Sequence, residues 1–70
     1  MKVRIVSIGK IDAHNYPPEN RRRIIGKIGE FDPWDNYGNG WHSGVFSPDE
    51  PAHEDSSSLF FIHVRVTKLS

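Results

Sequence analysis

The chain has 70 residues, with nine Lys and Arg against nine Asp and Glu, a formal net charge of +0 and no cysteine. That length gives a single domain, 1–70, of a size that buries only about 60% of the surface its unfolded chain exposes, and the absence of cysteine excludes disulfides and thiolate metal sites. A neutral chain lacks the global positive field behind non-specific nucleic-acid binding, so any electrostatic role falls to local patches. The longest apolar run, Leu59 to Ile62, is far short of the ~20 residues that span a bilayer. The expected location is the cytoplasm, with no membrane partner.

Taken in chain order, the first element is a strand over Val3–Ile8, "VRIVSI", rich in β-branched residues. "NYPPEN" follows, with two prolines that cannot donate to a ladder. Residues 17–25, "PPENRRRII", predict one short helical turn. Proline suits its start, Glu19 its positive end, the arginines its C-terminal end and Gly26 its stop. A second strand is expected over Lys27–Asp32, continuing toward Trp34. "DNYGNG" then supplies a tight hairpin at Asn39-Gly40, a pair that favours positive φ. A strand over Gly40–Phe46 is weakened by Gly44. A mobile polar loop is expected at about 47–58. The last strand, Leu59–Leu69, shows the clearest pattern. Phe60, Ile62, Val64 and Val66 alternate with Phe61, His63, Arg65 and Thr67.

Few helix signals and several short strands predict an all-β fold, a small barrel of four to five short strands with one helical turn. The alternation assigns Val3, Ile5, Ile25, Phe31, Phe60, Ile62 and Val64 to the core. Trp41, beside a strand, is expected there too.

The segment "PPENRRRIIGKIGEFD", Pro17 to Asp32, resembles the entry segment of small Src-homology-3-like barrels. These include KOW-containing proteins of the ribosome and transcription machinery and short proteins encoded by bacteriophages. The shared pattern is Ile24-Ile25, Gly26, two residues, Gly29, one residue, then Phe31. In physical terms Gly26 ends the turn, Gly29 lets a neighbouring backbone approach, and Phe31 points into the barrel on the side of Gly29. The resemblance implies a Src-homology-3-like barrel, with a small viral or mobile-element protein in the host cytoplasm as one setting. Pro33 is expected to interrupt the strand two residues after Phe31.

Candidate functional residues are few. Arg21, Arg22 and Arg23, with Arg4 and Lys27, could hold phosphate. Three consecutive side chains on a helical turn point about 100° apart, however, so they cannot all face one ligand. Trp34 and Tyr37 flank the glycine-rich hairpin and are expected at the surface, as a protein hot spot or a stacking platform. His14, His42, His53 and His63 lack the short spacing of metal-ligand pairs. "GWHSG" places His42 where a nucleophile elbow needs serine, and His42 and Ser43 leave a strand on opposite faces. "GKIG" is too short to cradle phosphate. No catalytic residue, metal or cofactor is therefore expected.

The chain reads as a non-enzymatic binding module for a protein partner, with Trp34, Tyr37, Arg21, Arg22, Arg23 and Lys27 as binding residues. One alternative is a KOW-like barrel that binds nucleic acid through Arg21–Arg23 and Trp34. Another is a self-assembling structural protein whose open strand edges pair between copies. The sequence leaves the oligomeric state open.

Overall fold

A computed structural model describes residues 1–49 and 58–69. Among these residues four strands form one closed antiparallel barrel: β1 (Lys2–Ile8), β2 (Ile28–Gly38), β3 (Trp41–Pro48) and β4 (Leu59–Lys68). Two short helices, α1 (Lys10–Ala13) and α2 (Pro18–Ile24), join β1 to β2. No described helix is long and apolar enough to cross a membrane. The expected loop at 47–58 lies mostly outside the described residues, but its first two residues belong to β3.

The core is filled by Phe31, Phe46, Phe61, Ile5, Ile24, Val3 and Val64, with Leu59 and Val66 at its margin. Of the expected core, Val3, Ile5, Phe31 and Val64 are buried, whereas Ile25, Phe60 and Ile62 are exposed. On α2, neighbours diverge by about 100°. Ile24 turns into the barrel mouth, so Ile25 at the cap faces out. Phe60 and Ile62 are displaced by a bulge in β4. His42 pairs with Val64 and Gly44 with Phe61, so the single residue Ser43 faces both Ile62 and His63. One extra residue flips the pattern N-terminal to it. Leu59 and Phe61 therefore point in.

α2 begins and stops where its sequence predicts. Pro18 sits in the first turn with Glu19, and Gly26, at φ +94°, ends it. The second helix, α1, has no comparable local signal. Its fixed point is tertiary: the buried carboxylate of Asp12 accepts hydrogen bonds from Ile62 N at 2.9 Å and His63 N at 2.7 Å. These are the amides of the two bulge residues of β4. Gly9 N adds a bond to His63 O at 2.8 Å.

β2 runs through Pro33 to Gly38, where the sequence suggested an interruption. Phe31 exchanges backbone hydrogen bonds with Met1 on the β1 side. Lateral direction alternates along a strand, so Pro33, two residues on, turns its nitrogen to that same side. β1 has ended there, and the missing N–H costs no ladder bond. Gly29 does admit a close neighbour: a Cβ there would collide with Ser47 O and lie 2.7 Å from Pro48 Cα. The hairpin turn is as expected, with Asn39 at φ 56° and Gly40 at φ 87°.

Tyr16 closes the barrel beside α1. Its ring lies 5.5 Å from Phe61, and its hydroxyl donates to Phe60 O at 3.0 Å. Burial, then the charge of Asp12, pushes the phenol above 10.0. A raised pKa in the folded state contributes stability that is fully present below the unfolded value and is lost as pH rises through the folded one. The denaturant midpoint should hold up to about pH 10 and fall above it. Tyr16→Phe should flatten that fall at the cost of about 0.5–1.5 kcal/mol near neutrality. An equally steep alkaline fall in Tyr16→Phe would place its origin elsewhere.

Candidate docking face

Alternation on β3 turns His42, Gly44 and Phe46 inward and Trp41, Ser43, Val45 and Ser47 outward. The inward sense is fixed by Phe46, fully buried, and by His42, whose ring meets Phe31 edge-on at 5.8 Å. An outward serine at mid-strand should be wet. Ser43 is 7% exposed, so side chains from the neighbouring strands cover it.

Those side chains are delivered by bulges on both sides of Ser43. On β4 the extra residue presents Ile62 and His63 together. On β2 the register slips between Pro33 and Asp35, which thrusts Trp34 outward, and slips again between Asn36 and Gly38, at Tyr37. Both residues singled out in this hairpin are therefore bulge residues. Trp34 is 59% exposed and Tyr37 55%.

The rings do not stand alone. Trp34 meets Phe60 at 5.0 Å, although their strands are each hydrogen-bonded to β3 and not to one another. The pair thus lies across β3. Toward the hairpin, His63 stacks on Trp41 at 4.3 Å and takes Tyr37 edge-on at 5.4 Å. Trp41 is accordingly half-buried on the outer face instead of in the core as expected. His63 is also packed against Gly9, where a Cβ would lie 2.8 Å from its Nδ1. Each ring is held by a neighbour, so little side-chain freedom remains to be lost on binding.

Carboxylates border this face along β2. Glu30, Asp32 and Asp35 are exposed. Glu30 lies 3.4 Å from the Met1 amino group and 3.5 Å from Lys2 Nζ. Lys2 also holds Asp49 at 2.7 Å, a hydrogen bond that raises the pKa of its ammonium. Asp32 and Asp35 make no ion pair with any described residue. Beside Glu30, Asp32 and Trp34 runs a groove of about 600 Å³, lined also by Met1, Val45 and Ser47.

The basic residues lie elsewhere. Arg21 reaches back to Ala13 O at 3.4 Å and ties α2 to α1, while Arg22 and Arg23 are exposed. Lys27 follows Gly26, whose N–H bonds Ile5 O on β1. No described hydrogen bond, ion pair or ring contact joins these four residues to Trp34 or Tyr37. The arginine nearest the aromatic hairpin is Arg65, whose Nε donates to Asn39 O at 3.2 Å.

Sequence reasoning named Trp34 and Tyr37 and missed Phe60, Ile62, Trp41 and His63 as their companions. It missed Asp12 as the group that holds the β4 bulge. The available signal was in "LFFIHV", where two hydrophobic phases overlap. No family model, curated protein or solved structure matches the chain. Among the described residues no group of three His, Asp or Glu could hold a metal. What the face offers chemically is preset aromatic area beside uncompensated negative charge.

Proposed function

We propose that the chain is a non-enzymatic binding module that docks on a protein partner through the outer face of β2, β3 and β4. The observation that carries this reading is Trp34, lifted out by a bulge, more than half exposed and braced by Phe60. Tryptophan and tyrosine dominate protein interfaces because they bury large areas with little loss of rotamer entropy. A tiny barrel that needed these rings only for stability would place them inside.

Nucleic-acid binding is the second reading, carried by the exposed Arg22 and Arg23 and by the resemblance to KOW-like barrels. It is weakened by Asp32 and Asp35 on the aromatic face, which repel phosphate. Strand pairing between copies is disfavoured at the open edge of β2, where Pro33 and two bulges interrupt a flat edge. The setting of a small viral or mobile-element protein in the host cytoplasm rests on the resemblance of Pro17–Asp32 alone.

Trp34→Ala should weaken a partner captured by the tagged wild-type chain by about 2 kcal/mol, roughly thirtyfold. Replacing Arg21, Arg22 and Arg23 by glutamate should change that affinity little. If the triple reversal instead abolishes binding to DNA or RNA, and that binding falls linearly with log salt, the nucleic-acid reading replaces this one.

A further inference from the structure

The docking face is asymmetric in charge. Its β4 side carries Phe60 and Ile62 beside Trp34, with His63 and the exposed Arg65, which pairs with Trp41, toward the hairpin, and its β3 floor is neutral, with Ser43, Val45 and Ser47. Its β2 side carries Glu30, Asp32 and Asp35. By its pairing with Ser43, Asp35 shares the outward side with Trp34, while Asp32 pairs with the outward Val45. Trp34 thus rises between two carboxylates that no described cation neutralises. The Met1 ammonium, at the edge of the groove, and Lys2 compensate Glu30, and Lys2 also holds Asp49 outside it.

We propose that the groove between Trp34 and Asp32 receives a lysine or arginine side chain from a basic segment of the protein partner. An adjacent apolar residue of that segment would lie on Phe60 and Ile62. This names the partner class for the docking reading above and rests on it. The chemistry is specific. An indole face attracts a cation and also covers its methylene stem. A carboxylate beside the ring supplies the counter-charge and a charge-assisted hydrogen bond. An acidic peptide or a phosphate backbone would meet like charge at Asp32 and Asp35, which costs affinity and gives selectivity. The bulge at Trp34 is what brings ring and carboxylates to one side; in a regular strand Trp34 and Asp35 would point to opposite faces.

The test is a titration of the isotope-labelled whole chain with three probes at physiological salt. These are a capped peptide alternating arginine and leucine, its twin with glutamate for arginine, and oligothymidine. The arginine peptide should give saturable shifts at the Trp34 indole N–H and the amides of Asp32 and Asp35. Asp32→Lys with Asp35→Lys should weaken it at least tenfold, a loss of about 1.4 kcal/mol. Should that reversal disturb folding, the near-isosteric Asp32→Asn with Asp35→Asn should weaken it severalfold. Equal binding of the glutamate peptide, shifts confined to residues away from Trp34, or no saturable shifts would overturn the proposal. Loss of a captured partner in Trp34→Ala but not in the aspartate variants would overturn it while leaving the docking reading intact. Oligothymidine shifting Trp34, more strongly after the charge reversal, would overturn both. Self-association that Asp32→Lys removes would place a second copy's arginines in the groove and also overturn the assignment.

Discussion

Replacing Asp12 by alanine should lower the stability of the barrel by about 2–6 kcal/mol, because two amides of β4 lose their acceptor at once and each unpaired buried donor costs about 1–3 kcal/mol. A domain this small has of order 5 kcal/mol in total. Much of the population should then unfold. Asp12 is 2% exposed and bonds both Ile62 N and His63 N. Water cannot easily take its place. Asp12→Asn keeps one carbonyl oxygen but turns an NH2 group toward a donor, so it should cost about half as much. Denaturant midpoints of the two variants, with hydrogen exchange at the Ile62 and His63 amides, measure the effect. An unchanged midpoint in Asp12→Ala, with both amides still protected, would show that the bulge stands without its carboxylate.

The loss should also reach the docking face. The bulge is what turns Ile62 and His63 outward together, and His63 is the ring against which both Trp41 and Tyr37 rest. Without the clamp, β4 has a competing register available. A straight strand would bury Phe60 and Ile62 with Val64 and Val66 and expose Leu59, Phe61 and His63. Both registers bury apolar residues, so hydrophobicity alone decides weakly between them. The hydrogen bonds between one aspartate side chain and two amides decide it locally.

That competition explains how far the sequence could be read. The all-β barrel was legible because β1 is rich in β-branched residues, because the second half of β4 alternates cleanly and because Gly26, Gly29 and Asn39-Gly40 punctuate the chain where backbone geometry requires it. Phe31 follows from Gly29 by simple alternation. The first half of β4 was not legible, since its phase depends on Asp12, about fifty residues away in sequence and on a helix too short to carry a periodic signal. Pro33 misled for a related reason. Whether a proline breaks a strand depends on which side its nitrogen faces and whether a strand is paired there, and both follow from tertiary pairing with β1. Trp34 and Tyr37 were legible as surface residues from their glycine-rich surroundings. Their ring partners became visible only with the bulges on either side of Ser43 in place.

Phe31→Ala should cost about 3–5 kcal/mol, the range for removing a fully buried phenylalanine. Phe31 is 1% exposed at the centre of the barrel. Its ring meets His42 edge-on at 5.8 Å, and its Cζ lies 3.0 Å from where a Cβ on Gly44 would be. The cost depends on whether the cavity collapses or fills. Collapse is resisted because Gly44 has no side chain to swing in and β2 is tied to Met1 on one side and Phe46 on the other. Filling by water needs two to four polar partners. The ring that meets Phe31 carries His42 Nδ1, the one buried side-chain polar atom without a hydrogen-bond partner among the described residues. A single such atom leaves the cavity dry, and the loss should fall toward the upper end of the range. Phe31→Leu, which keeps most of the volume, should cost clearly less. Thermal or denaturant melts of the two variants give the comparison directly. A cooperative Phe31→Ala chain that melts like the wild type would remove Phe31 from the centre of the core.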